Sequence, residues 1–138
     1  MQHADITEKV IGCSMKVHRT LGPGYLESVY RNALAHELQQ RVIPFEREKR
    51  VRVWYDGIVV GDYSADLLVQ ECVLVEVKAV RYLAPGHEAQ LVNYLTGTQL
   101  DVGLLINFGA ESLEFRRKAR AYQPRQKNAT GLTGLAGL

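Results

Sequence analysis

Residues 64–80 read Ser64-Ala-Asp-Leu-Leu-Val-Gln-Glu-Cys-Val-Leu-Val-Glu-Val-Lys-Ala-Val80, two apolar runs separated by Gln70-Glu71. The runs Ala65–Val69 and Cys72–Val80 have the length and composition of strands, and the polar pair between them predicts a tight hairpin through the centre of a sheet. Side chains alternate along a strand, so Glu76 and Lys78 share one face with Leu74 and Cys72, while Val73, Val75 and Val77 line the other. Charges set into so apolar a strand cost several kcal/mol each unless they are paired or bind a metal. A Glu–Lys pair at a solvent-facing sheet end satisfies that condition equally well. Asp66 adds a second constraint, because antiparallel pairing around Gln70-Glu71 brings it opposite the region of Glu76. Two neighbouring carboxylates repel unless something cationic lies between them. Mg²⁺ meets the need, being a hard cation held by one or two carboxylates together with water and substrate phosphate.

Outward from this hairpin, the β-rich run Val51-Arg-Val-Trp-Tyr55 closes a strand over 45–55, and Asp56-Gly57 is a strong hairpin signal before Ile58–Tyr63 returns antiparallel. Upstream, Ile6, Val10, Cys13, Val17 and Leu21 recur at helical spacing, predicting a helix over 5–21 that Gly22-Pro23-Gly24 stops. A second helix is expected from Leu26 to Arg41, with Leu26, Tyr30, Ala33, Leu34 and Leu38 on its apolar stripe and Pro44 beyond it. Downstream of Pro85-Gly86, residues 87–98 are helical in period. Val102–Phe108 is almost wholly apolar, as a buried strand is, and Leu113–Arg117 fits a last edge strand. The order predicts one α/β domain, helices packed around a mixed β-sheet, over 1–123, with a flexible tail over 124–138 poor in large core-forming residues.

The chain has 138 residues, enough for one domain with a real core, and 46% hydrophobic against 23% charged residues is ordinary for a globular protein. No apolar stretch approaches the roughly 20 residues of a membrane span. The opening MQHADITEKV lacks the basic-then-apolar pattern of a signal peptide. Cys13 and Cys72 have no CxxC spacing and read as buried thiols, so the expected setting is reducing and cytoplasmic. A net charge of +2 identifies no partner. The basic residues are uneven, however: Arg116, Arg117, Lys118, Arg120, Arg125 and Lys127 occur with no acidic residue between them. That run is compatible both with phosphate binding and with a solvated surface.

Two helical motifs remain. Gly24-Tyr-Leu-Glu27-Ser-Val-Tyr30 reads G-x-x-E-x-x-Y, with Glu27 at the edge of the apolar stripe. A carboxylate there either complements the helix dipole or turns toward an internal site. In the third helix His87, Gln90 and Tyr94 share a face at i, i+3 and i+7, beside an apolar face holding Leu91 and Leu95. Such a stripe either faces solvent or serves a site.

Asp66, nine intervening residues and Glu76-Val77-Lys78 resemble the PD-(D/E)XK motif, with Ala65 where the motif's name has proline. Gln90-x-x-x-Tyr94 resembles the Q-x-x-x-Y motif of that superfamily's RecB-like branch. Gly24-x-x-Glu27-x-x-Tyr30, then Asp66, Glu76-x-Lys78 and the stretch His87–Leu95, four motifs in order over about residues 5–118, are similar to those of the small GxxExxY proteins of bacteria and archaea. The resemblance implies a restriction-endonuclease-like α/β fold and a metal-dependent nuclease acting on nucleic acid, DNA before RNA. It implies that Asp66 and Glu76 bind Mg²⁺ (or Mn²⁺), with a backbone carbonyl at Val77 and Glu27 as further ligands. Lys78 would position the attacking water, Gln90 and Tyr94 would hold the substrate or orient Lys78, and His87 and the basic residues at 116–120 would meet phosphates. No separate nucleic-acid-reading domain is expected within 138 residues, so a homodimer through an edge strand or the first helix is compatible with this reading. Two rivals stand beside it: a non-catalytic nucleic-acid- or partner-binding module that keeps the fold, and a small-molecule enzyme, which would need a closed pocket.

Overall fold

The computed structural model describes residues 2–120. Helices α1 (Ala4–Leu21) and α2 (Glu27–Gln40) are followed by strands β1 (Phe45–Tyr55), β2 (Ile58–Val69) and β3 (Val73–Lys78), helix α3 (Pro85–Thr98), and strands β4 (Val102–Asn107) and β5 (Glu114–Ala119). The strands form one sheet in the order β1-β2-β3-β4-β5. Only β3 and β4 run parallel, joined by α3 as the crossover, and every other pairing is antiparallel. The sheet is therefore mixed, as the element order predicts. The flexible tail expected over 124–138 lies outside the described residues. No described helix is long and apolar enough to cross a membrane.

Alternation along β3 divides the core in two. Val73, Val75 and Val77 pack with Ile6, Val10 and Val17 of α1 and Tyr30, Leu34 and Leu38 of α2. Leu74 faces the opposite layer with Leu91 and Leu95 of α3 and Leu105 of β4. Glu76 pairs with Leu105 in the parallel ladder, so it lies on the α3 face.

Three local expectations need correction. The β2–β3 connection pairs Val69 with Val73, which leaves a three-residue turn, Gln70-Glu71-Cys72, rather than a two-residue one. Gln70 and Glu71 both take left-handed φ, 50° and 59°. Cys72 is consequently a turn residue, only half-buried, and packs with the α1/α2 core instead of beside Leu74. Leu26 precedes α2 in extended conformation and is 77% exposed, so it is no part of the apolar stripe.

The most consequential irregularity falls at Asp66. Leu67 and Val69 face the α1/α2 layer and Leu68 the α3 layer, yet Ala65 also packs in the α3 layer. The two-residue alternation thus slips at Asp66. Across the β1–β2 ladder, between the Arg47–Leu67 and Lys49–Ala65 pairs, Glu48 takes a left-handed φ of 56°. The β2–β3 ladder reaches only Leu67–Val75. Beyond it β1 and β2 pair with each other alone, as a two-stranded arm that reaches α3.

Candidate active site

Asp66 sits where β2 parts from β3, and its carboxylate takes over a donor the ladder would have used. The Val77 amide N–H donates to Asp66 Oδ2 at 2.7 Å, and Arg31 Nη1 of α2 donates to Oδ1 at 3.1 Å. Arg31 Nη1 also lies 3.7 Å from Glu27 Oε1, one turn back on the same helix. Glu27 and Asp66 are thereby linked through one guanidinium. The rest of the G-x-x-E-x-x-Y motif explains how Glu27 is held at the first position of α2. Gly24 has φ 117°, a conformation that favours glycine. Tyr30, fully buried and stacked on Phe108 at 4.9 Å, donates its hydroxyl proton to the Gly22 carbonyl and accepts from the Tyr25 amide.

Glu76 is 8% exposed. Burial above all, and then the neighbouring Asp66, push its carboxyl from an ordinary 4.5 up to about 9, while the Lys78 ammonium pulls the other way. Tyr94 of α3 faces the same pair: burial first, then the charges of Glu76, Tyr63 and Asp66, raise its hydroxyl to about 12. Burial and Glu76 also raise Tyr63, whose ring lies 4.2 Å from that of Tyr94 between centroids. The fold brings Asp66, Glu76, Lys78 and Tyr94 into one electrostatic neighbourhood, to which Glu27 joins through Arg31.

A family model described as the PD-(D/E)XK nuclease superfamily matches residues 4–118. The chain belongs to that superfamily. Two solved structures share its fold. The crystal structure of SSO0001 superposes with a TM-score of 0.56 at 17% identity, over 70% of this chain and 50% of its own. The alkaline exonuclease LHK-Exo from Laribacter hongkongensis superposes with a TM-score of 0.50 at 12% identity, over 88% of this chain and 72% of its own. The chain thus spans half the length of SSO0001. No curated protein matches it significantly.

Superfamily members generally use divalent metals. Among the described residues no three His, Cys, Asp or Glu side chains converge as a ready-made metal cluster. The donors present nevertheless fit a hard cation. A buried carboxylate that burial and a second carboxylate force to hold its proton is relieved by a divalent ion between them, and both groups offer oxygen.

The other expected residues are dispersed. Gln90 is exposed on the wall of a groove of about 800 Å³ between α3 and the β1–β2 arm, which Tyr94 and Tyr63 also line. His87 caps its own helix, accepting the Ala84 amide N–H at Nδ1, 3.0 Å away. Among the described residues, the basic run at 116–120 is committed within the protein. Arg116 and Lys118 pair with Glu88 of α3, Arg120 pairs with Asp101, and Arg117 turns inward to Thr7. Ion pairs account for Arg116, Lys118 and Arg120 without phosphates.

Arg31 and Tyr63 are site residues that the motifs do not name. The spacing of Arg31, four residues after Glu27 on a helix, was a usable signal. Tyr63 offers none by itself, since only the slip at Asp66 turns it toward α3.

Proposed function

We propose that this member of the superfamily is a divalent-metal-dependent nuclease hydrolysing phosphodiester bonds, with DNA as substrate before RNA. The observation carrying the proposal is the pair Asp66 and Glu76, a buried carboxylate beside a half-buried one with Lys78 on the same strand face. Mg²⁺, or Mn²⁺ in its place, would bind Asp66 and Glu76, with the Val77 carbonyl and Glu27 as further donors, and would supply Lewis-acid activation of water and phosphate. Lys78 orients the attacking water and offsets charge developing on phosphorus-bound oxygen. Tyr94 and Gln90, on the helix that covers the carboxylates, hold the substrate or fix Lys78. A finer placement among the small GxxExxY proteins of the RecB-like branch rests on Gly24, Glu27, Tyr30, Gln90 and Tyr94. A cytoplasmic location and a homodimer accord with the sequence.

One observation favours a second reading. Arg31 already supplies Asp66 with a cation at 3.1 Å, an arrangement that a non-catalytic module keeping the fold could retain without metal. Calorimetric titration separates the two: millimolar or tighter Mg²⁺ or Mn²⁺ binding that Asp66→Asn abolishes supports the nuclease, and its absence supports the module. The activity test is direct. Purified protein with Mg²⁺ should cut DNA, and Asp66→Ala or Lys78→Ala should each lower the rate by about a hundredfold or more. Mutants as active as the parent would refute the assignment.

A further inference from the structure

The groove beside the carboxylates has a composition that hydrolysis alone does not require. Three aromatic residues line it: Tyr94 from α3, Tyr63 from β2 and Trp54 from β1. Tyr63 and Tyr94 are half-buried and lie against each other next to Glu76. Trp54 is different. It is 60% exposed at the far wall and contributes to neither core cluster. The β1–β2 register shifts between Val53 and Trp54, an irregularity of the kind that re-aims a side chain. Arg52 lines the same groove and continues into a second hollow of about 500 Å³ walled by Lys49, Arg50 and Trp54. Asp62 is paired with Arg50 at 2.8 Å and Arg52 at 3.7 Å, one carboxylate against these three cations. Gly97 of α3 lines both hollows, and a Cβ there would stand 3.9 Å from the Arg52 carbonyl oxygen and from Val51 Cγ1, so the helix meets β1 where the two hollows adjoin.

An aromatic floor beside a basic track is the pattern that receives unpaired nucleic acid, the cations following phosphates and the rings stacking on bases. A duplex offers its base faces only at its ends, so rings set along a groove select strands whose bases are free. We propose that the groove between α3 and the β1–β2 arm binds single-stranded nucleic acid, with Trp54 as a base-stacking platform and Lys49, Arg50 and Arg52 tracking the backbone toward Glu76. This deepens the nuclease reading and rests on it only for the direction in which the strand leads.

Trp54 is the chain's one tryptophan, so its fluorescence reports directly on the groove. The full chain is titrated in chelator, without cleavage, with an oligo-deoxythymidine of about 12 nucleotides and with a duplex of equal length. The single strand should quench Trp54 and bind tighter than the duplex. By anisotropy of a labelled oligonucleotide, Trp54→Ala should weaken binding about tenfold and Trp54→Phe should restore most of it. An oligo-uridine of the same length sorts RNA from DNA, and tight binding of either supports the groove. Equal affinity for duplex and single strand, or a Trp54→Ala variant that binds like the parent, overturns the proposal. Failure of the two readings is distinguishable. Stacking without Mg²⁺-dependent cutting keeps the groove and removes the nuclease, whereas cutting without quenching keeps the nuclease and removes the groove.

Discussion

A carboxylate that is 8% exposed and adjoins another carboxylate holds its charge only at a cost, and Glu76 carries that cost in its raised proton affinity. Burial is the largest cause, Asp66 the next, and Lys78 offsets only part of them. The consequence for stability has a definite sign. Between its ordinary 4.5 and about 9, the folded metal-free protein binds more protons at Glu76 than the unfolded chain does, so stability falls as pH rises. The penalty of the buried anion is absent below that window and complete above it. The thermal midpoint of the protein in chelator should therefore decline across the window, and Glu76→Gln should flatten the decline. An unchanged slope in the variant would show that another group is responsible. Arg31 makes a complementary point, since it meets Asp66 from outside the motif, donating to Oδ1 at 3.1 Å.

The elements position these residues through a few exacting contacts. The chain leaving β3 is fastened to the end of β4 by Asn107, buried completely, whose Oδ1 accepts the Val80 and Gly109 amides while its Nδ2 donates to Glu114. Gly109 lies so close to that segment that a Cβ would stand 2.4 Å from the Val80 carbonyl oxygen and 2.6 Å from the Ala79 carbonyl carbon. Backbone cannot yield there cheaply. Gly109→Ala should cost about 3 kcal/mol, read as a lowered denaturation midpoint, and should depress activity through displacement of the strand end bearing Lys78. A variant as stable as the parent would show that the contact relaxes freely. Elements were also where the sequence was easiest to read. All three helices and the strand regions lie near their expected positions, because apolar period and Gly-Pro breaks are strong local signals. The faces of β3 followed from alternation. The slip at Asp66 was hidden, since it depends on Glu48 adopting a left-handed φ in the paired strand, and nothing in either local sequence requires that.

Across the whole molecule, the family assignment and the mixed sheet agree with the order of motifs along the chain. Charge was the least legible property. The run at 116–120 looks free in one dimension, yet the fold sets Glu88 and Asp101 against it, residues 19 to 30 positions away in sequence from their partners. Lys49, Arg50 and Arg52, whose sequence neighbours include Glu46 and Glu48, share a hollow, and one carboxylate, Asp62, pairs with both arginines. Likewise, Tyr63 joins the site through a tertiary contact that no spacing rule encodes, whereas Arg31 follows Glu27 by one helical turn. The central claim is that Asp66 and Glu76 together hold a divalent cation. It is tested most directly by a crystal structure of the protein soaked in Mn²⁺ with anomalous data collected. The account predicts one anomalous peak between the two carboxylates, about 2.1 Å from an oxygen of each, with Arg31 withdrawn from Asp66. No peak at that position, with Arg31 still bonded to Asp66, would contradict it.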